Sequence, residues 1–529
     1  MFLRARRLFR KPVFLVALTA ALATFVIQSG ELGTSDTSHR LQTTHSFWTS
    51  EPPVFPAEYP EFGIHGRDGR LYAWYGIGQS LLMLPADLAG TAIERLPMFA
   101  SYTGNDPTIR AIFVSYSTNI LISVMTALVC FRWLGLFGFT INQKIAGVFS
   151  LIFGTTFFHY AQNMTENNYI LLLTLTGLTF QYEWLRTGNR RALLIGSMAL
   201  GANLLTRLTT GMDILAVALF LFLAAWFTGN RGNELRSRSI AYLKVAAPVY
   251  VLFGLIDRAY QYYRFGSIFH TYIKIVGDER RLLDPTLPAS YPFETPFRVG
   301  FLGPLITPEK SIFLFDPLLL LTLIICVYAW RRFQPEIRAY LIAFAMLLLA
   351  YICFYAKYTD WAGDHAWGDR YVSTAAQLVA FISVPLWMHY RAETRKFVRV
   401  HVIALVTASV CIQLSSVMFW CSLEIYQMET RGHPTFVIGL RYRNIAGLAF
   451  GKMDQWGLTN DSMKEDPWDY EHITAYNFLP FLLGRVGAAA GWVVTLLTAV
   501  WSMALAALVA LLLFIRRQAA GGLLDAFSA

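Results

Sequence analysis

Apolar runs of roughly twenty residues recur along the chain between short polar links, and this pattern predicts about twelve membrane-spanning helices. The runs centre on residues 13–29, 109–131, 144–161, 167–186, 191–207, 210–228, 240–257, 312–330, 337–356, 371–389, 398–419 and 486–515. Basic residues sort the links by side, because cytoplasmic links carry the excess of Lys and Arg. Arg4, Arg6, Arg7, Arg10 and Lys11 precede the first run, and Arg132 and Lys144 bracket the next link on that side. RTGNRR, GNRGNELRSRS, WRRFQPEIR, HYRAETRKFVR and the terminal RRQ follow on the same side. The alternation predicts an even number of spans with both termini cytoplasmic. The first run follows a basic stretch, as in a signal peptide, but no clear A-x-A site follows it, so it is read as a retained span.

The remaining links are long and cover 30–108, 258–311, 357–370 and 420–485. They hold most of the acids, prolines and tryptophans. Loops placed by a rigid scaffold carry function, so chemistry is expected on the outer side. In the first loop, FGIHGRDGRLYAWYG predicts a hairpin turning at Asp68-Gly69. GIGQSLLMLPADLAGTAIERLP then predicts a helix along the outer membrane surface, since Pro85 and Asp87 make it a poor span. Three parts result: a transmembrane module over 1–419 that includes outer loop 30–108, an outer loop region over 420–485, and a last span with its tail over 486–529.

Composition agrees with a membrane protein. Hydrophobic residues make up 55% of the chain and charged residues 15%, against roughly 25% charged in soluble domains. The net charge of +10 lies in short clusters between apolar runs, as topology demands, and not in a stripe suited to nucleic acid. Cys130, Cys326, Cys353, Cys411 and Cys421 sit in or beside apolar runs with no CxxC spacing. They read as small hydrophobes, not a disulfide framework.

Chemistry-bearing residues gather in the outer loops. Asp36 lies just beyond the first span in a Ser/Thr-rich stretch. A carboxylate there suits a general base, while the plain alternative is a cap or Asx turn. His39 and Arg40 follow at i+3 and i+4, so on a helix they share its face. Gly76 and Gly78 in YGIGQS precede a helix, which suits either an anion site or a simple turn. DRAYQYYRFGSIFHTYIK brings Arg258, Tyr263, Arg264 and Lys274 together, fitting a phosphate and a sugar face or an interfacial belt. Lys310 sits at a Pro-kinked boundary. KYTDWAGDHAWGDRYV crowds Asp360, Asp364, His365, Asp369 and Arg370 between two spans, a density that is costly unless paired or functional. Arg207 is expected to pair with Asp213 across a turn, and Glu166 to serve a helix N-terminus. His45 and His65 lack the H-x-H or H-x-x-x-H spacing of a metal site.

These stretches, in this order, resemble the polytopic glycosyltransferases of the GT-C superfamily. The resemblance is carried by Asp36, GRDGRLYAWYGIGQSLLMLP, YRFGSIFHTY, TPEKSIFLFDPLLL and WGDRYV. It is greatest to bacterial membrane enzymes related to the protein mannosyltransferase and aminoarabinose transferase group, and it spans roughly residues 13–390. The chain departs from that pattern in lacking a D-E or D-x-D pair in the first loop. The resemblance implies an all-α polytopic fold with a juxtamembrane helix in a long first outer loop. It implies transfer of a sugar from a polyprenyl-phosphate donor to a lipid, glycan or protein hydroxyl at the periplasmic face of a bacterial inner membrane. Asp36 would be the base. Arg264, Lys310, Arg370 and Arg40 would bind the donor phosphate. His39, Glu51, Trp74, Tyr75, Gln79, Tyr263 and His365 would contact acceptor or sugar. No metal ligand set is predicted; a divalent cation is the one cofactor left open. The competing expectation is a transporter or flippase of a lipid-linked sugar, which requires polar groups deep in broken spans.

Overall fold

Helices stand at all twelve predicted positions, and among the described residues six are long and apolar enough to cross a membrane by themselves: Ile109–Leu136, Leu208–Phe227, Asn233–Phe265, Pro335–Tyr355, Val398–Ser416 and Gly491–Ala520. The computed structural model describes residues 11–55, 63–104, 106–164, 166–229, 232–363, 366–391, 396–420, 423–424, 427–428, 435–459, 464–465 and 467–521.

The first helix, α1 (Pro12–Ile27), opens with proline at a position that needs no N–H donor. Next comes α2 (Ser35–His45), capped by Thr34, whose side chain accepts from the Thr37 amide. The predicted hairpin follows as β1 (Ile64–His65) and β2 (Leu71–Tyr72), antiparallel with Ile64 opposite Tyr72. Gly69 supplies the positive φ of its turn. The helix predicted after the hairpin is α3 (Gly78–Glu94). The bundle continues through α4 (Ile109–Leu136), α5 (Ile141–Gly154), α6 (Phe157–Gln162), α7 (Asn167–Thr187), α8 (Arg190–Leu204), α9 (Gly211–Phe227) and α10 (Asn233–Phe265). The second long loop carries α11 (Tyr272–Leu283) and α12 (Phe297–Ile306). Then come α13 (Ile312–Phe315), α14 (Leu318–Ala329), α15 (Pro335–Tyr355), α16 (Ser373–Ala380), α17 (Ser383–His389) and α18 (Lys396–Ser416). The chain closes with α19 (Val437–Ala449), α20 (Pro467–Ile473), α21 (Leu479–Arg485) and α22 (Gly491–Ala520).

The main core forms where α4, α7, α9 and α15 meet. Trp133 is wholly buried there, with Phe137, Tyr182, Phe220 and Tyr340 around its ring at 4.6–5.6 Å. Packing is antiparallel between neighbours: α1 lies on α4, α7 on α8, and α9 on α15.

Three predicted spans are interrupted, contrary to the expectation of clean helices. Breaks fall at residues 155–156, 316–317 and 381–382. Two of them meet. The Asp316 carboxylate accepts from the Thr156 amide at 2.7 Å and its hydroxyl at 3.1 Å, and Gln377 donates to that hydroxyl at 3.1 Å. Freed backbone groups are tolerated at membrane depth only when satisfied within the protein, and these are.

Asp87 accounts for the polar end of α3. It is fully buried and points into the protein. Its carboxylate takes hydrogen bonds from His45 Nδ1 at 3.0 Å and Trp48 Nε1 at 2.8 Å, and pairs with Arg110 Nε at 2.8 Å. One carboxylate therefore ties α2, α3 and α4 together. Replacing it leaves a largely buried arginine uncompensated. Asp87→Ala is expected to destabilise the protein by about 3 kcal/mol, read as a lower thermal midpoint in detergent. An unchanged midpoint would show that Arg110 finds another partner.

Candidate active-site cleft

A cleft of about 980 Å³ opens where the residue before α7, the start of α9 and the end of α15 meet. Asp36 stands at its head. The second residue of α2, it lies in the first turn of that helix, where a negative charge is favoured. Its two carboxylate oxygens are divided between partners: the Tyr75 hydroxyl donates to Oδ1, and Arg370 Nη1 lies 2.9 Å from Oδ2. Burial pushes the Asp36 carboxyl up. Arg370, Arg40 and the Tyr75 hydroxyl outweigh that push, even against Glu166, and the net shift is downward. Burial and the Asp36 charge both raise Tyr75, so it stays a donor.

Arg40 shares the face of Asp36, one turn on, as the helical spacing predicts. It does not pair with Asp36. Its Nη2 lies 2.9 Å from Glu166 Oε2, and its guanidinium covers the Tyr75 ring at 4.0 Å. Arg207 pairs with the other oxygen of the same Glu166. The expected Arg207–Asp213 pair is absent: Asp213 accepts from Thr174 and Tyr351, each at 2.8 Å, deep between α7, α9 and α15. Glu166 stands at the N-cap position of α7 without a side-chain cap hydrogen bond, and is itself 3% exposed. Burial alone would neutralise it, but Arg40 and Arg207 hold its carboxyl well below the usual range. An alternating array of charge results, running Arg207, Glu166, Arg40, Asp36, Arg370. Sequence spacing contained no signal for the Glu166 role, because its partners lie 126 and 41 positions away in chain number (166 − 40 and 207 − 166).

The cleft changes character along its length. Trp74 and Tyr75 line the polar head, where Tyr355 and Tyr371 stack at 4.3 Å. Towards the bundle the wall turns apolar through Met212, Leu215 and Phe354, with Leu215 70% exposed and Phe354 49%. The far wall is α11, which brings Lys274, Arg280 and Arg281 to the cleft. Lys274 and Arg281 both pair with Asp278, and Arg281 also donates to the Ala289 and Tyr291 carbonyls. Arg280 is exposed, and its guanidinium makes no hydrogen bond or ion pair among the described residues.

Several predicted ligands lie elsewhere. Arg264 is buried against the first outer loop, donating to the Ala73 and Tyr75 carbonyls. Lys310 donates to the carbonyls of Ala366 at 2.7 Å and Gly368 at 3.2 Å. Neither side chain lines the cleft; each holds the loop that carries a cleft residue, Tyr75 in one case and Arg370 in the other. Gln79 donates to the Met164 carbonyl at 3.0 Å. Glu51 accepts from Gln42 at 3.1 Å. Tyr263 is 62% exposed beside Tyr72. His39 faces a separate cleft of about 440 Å³ on the opposite side of α2. His365 and Asp364 lie outside the described residues. Gly76 and Gly78 serve close packing. A Cβ on either would fall 2.3 Å from the Leu205–Thr206 segment, and the Gly78 amide is already spent on the Leu205 carbonyl. The anion site read there is thus replaced by a backbone crossing.

A divalent cation does not fit the carboxylates at the head of the cleft, because arginines already engage both Asp36 and Glu166. Among the described residues, no group of three or more His, Cys, Asp or Glu is placed to hold a metal.

No protein-family model and no curated protein matches the chain. Among solved structures, the archaeal oligosaccharyltransferase AglB from Archaeoglobus fulgidus, in complex with an inhibitory peptide and a dolichol-phosphate, is similar at 13% identity and a TM-score of 0.45. The similarity covers 91% of this chain and 64% of that one, so this chain spans less than two thirds of its length.

The electrostatics of the array are testable without any substrate. The Asp36 carboxyl infrared band, identified by its loss in Asp36→Asn, is expected to titrate below the ordinary aspartate value of 3.8. Arg370→Gln removes a close cation and should move that titration up. An unmoved titration would show that Arg370 does not set the charge of Asp36.

Proposed function

We propose that this protein is a membrane glycosyltransferase that moves a sugar from a polyprenyl-phosphate donor to an acceptor hydroxyl on the outer face. The observation that carries this reading is Asp36, held ionised between Tyr75 and Arg370 at the head of a cleft whose wall turns apolar at Leu215 and Phe354. A lipid-linked donor is polar at one end and apolar at the other, and so is this cleft.

In this mechanism the polyprenyl chain lies along Met212, Leu215 and Phe354, with the sugar phosphate at the charged head. The acceptor oxygen attacks the anomeric carbon with inversion as its proton passes to Asp36. The bond from that carbon to the phosphate oxygen breaks, and the phosphate keeps the electron pair. A depressed carboxyl is a weak base, so placing the acceptor matters as much as removing its proton. Stabilising the departing phosphate is the larger electrostatic task. Arg370 and Arg40 supply charge at the head, and Arg280 adds a cation that pairs with no carboxylate among the described residues. Trp74 and Tyr75 offer ring faces to the sugar.

On this reading residues 1–419 form the catalytic module, 420–485 shape acceptor choice, and 486–529 hold the last span. Both termini are cytoplasmic, and the cleft faces the periplasm of a bacterial inner membrane. Hexose and pentose donors fit these steps alike. A transporter would need polar groups lining a route through the spans. The polar groups at the helix breaks instead bond to one another, and Asp316, Thr156 and Gln377 do not line the cleft.

The test is release of free polyprenyl phosphate by the purified full chain across a panel of polyprenyl-phosphate sugars. Wild-type protein should turn over at least one donor. Asp36→Asn should lose about 10²–10⁴-fold in kcat while still binding donor. Equal turnover in both would remove Asp36 from the chemistry, and transport without cleavage would replace the enzyme with a carrier. Arg280→Gln should raise the KM for donor about fivefold, the weight of one exposed ion contact, and leave kcat unchanged. A lower kcat at unchanged KM would instead place Arg280 in the reaction step.

A further inference from the structure

The antiparallel pair α9 and α15 has a second cleft at its other end. The first cleft meets α9 at Gly211, Met212 and Leu215 and α15 at Phe354 and Tyr355. The second, of about 330 Å³, meets α9 at Trp226 and Phe227 and α15 at Arg338 and Ile342, with Gly229 and Trp330 completing it. At about 1.5 Å per residue, the length of α9 sets the two clefts roughly 24 Å apart. That is close to the apolar thickness of a bilayer, so the second cleft lies at the opposite membrane surface. By charge distribution this is the basic side, flanked by the link WRRFQPEIR.

Its chemistry is that of an interface. Trp226 and Phe227 are 44% and 38% exposed, and Trp330 packs edge-on against Phe333 at 6.0 Å. Amphipathic rings of this kind settle at headgroup depth. Arg338 and Ile342 are one helical turn apart and present a cation and an apolar surface to the same space. The guanidinium of Arg338 makes no hydrogen bond or ion pair among the described residues, and its Nε is buried with no partner. A surface lysine or arginine in an aromatic belt ordinarily reaches out to water. Here part of the arginine is withdrawn from water and aimed into a cavity, an arrangement that is costly unless an anion completes it. Exposed Arg331 and Arg332 beside it raise the local positive potential, against Glu336 on the first turn of α15.

We infer that this cleft binds the headgroup phosphate of an anionic glycerophospholipid from the leaflet opposite the active-site cleft. Basic pockets between spans on the cytoplasmic side recognise such headgroups. The aromatic wall and Ile342 favour a lipid over free phosphate, because they give the glycerol and first methylenes an apolar surface to cover. The site stands apart from the proposed transfer reaction and does not depend on it.

Native mass spectrometry of the full chain released from detergent micelles tests this. The protein is titrated with phosphatidylglycerol or with phosphatidylcholine of the same acyl chains. The first phosphatidylglycerol adduct should form at about fivefold lower concentration, the weight of one interfacial cation. Arg338→Gln should abolish that preference, and Arg338→Lys should restore part of it. Equal binding of the two lipids by wild type, or a full preference retained in Arg338→Gln, overturns the inference. Loss of the preference in excess inorganic phosphate overturns the lipid assignment in favour of the free anion. If Arg338→Gln fails to fold, Trp330→Ala keeps the charge and removes the wall; it should weaken the first adduct of both lipids, and an unchanged adduct overturns the site.

Discussion

A single buried carboxylate, Glu166, holds the corner on which the large cleft depends. Its two oxygens are claimed by Arg40 from the first outer loop and Arg207 from the turn between α8 and α9. Taking three charges out of water is expensive, and the arrangement survives only because the attraction is close and two-sided. The geometry is therefore nearly all-or-none. With both arginines in place, α2, the start of α7 and the α8–α9 turn form one unit. With one missing, the remaining groups are left charged in a dry site.

Asp36 inherits its state from that corner. Arg40 is turned away to Glu166, so Asp36 is left to Tyr75 and Arg370. Direct pairing with Arg40 would have closed a local salt bridge on α2 and withdrawn both groups from the cleft. Instead Arg370, which arrives from the loop before α16, brings a second part of the chain to the carboxylate. The support extends outward. Arg264 holds the segment that carries Tyr75, and Lys310 holds the segment that carries Arg370. Cations expected to meet a phosphate thus act one step back, on backbone carbonyls, and fix the two partners of Asp36.

Patterns of short range were legible in the chain itself. Hydropathy located the helices, the Asp68-Gly69 turn located the hairpin, and i, i+4 spacing placed Arg40 on the face of Asp36. Long-range pairings left no such trace. Glu166 read as a helix-start acid and Arg207 as the partner of Asp213, because spacing ranks near neighbours first. The breaks in three spans were hidden for a related reason. Thr156 and Gln377 are only mildly polar, and Asp316 precedes a proline just inside the run 312–330; their cost vanishes only when they meet in space. Gly76 and Gly78 looked like an anion nest until the Leu205–Thr206 backbone was seen to occupy the space beside them.

The size of α2 explains why so much of the fold is spent on it. An eleven-residue helix is too short to be stable alone in water, and this one is rich in Ser, Thr and His, which are poor helix formers. Its conformation must come from its neighbours. Glu166 fixes it through Arg40 at its middle, and Asp87 fixes it through His45 at its last residue. Asp36 sits in the first turn of a helix thus held at its middle and its end. A carboxylate with a depressed pKa gains little from basicity, so its worth to a reaction lies in where it stands. Two buried carboxylates, each costly by itself, together give a weak base a fixed position.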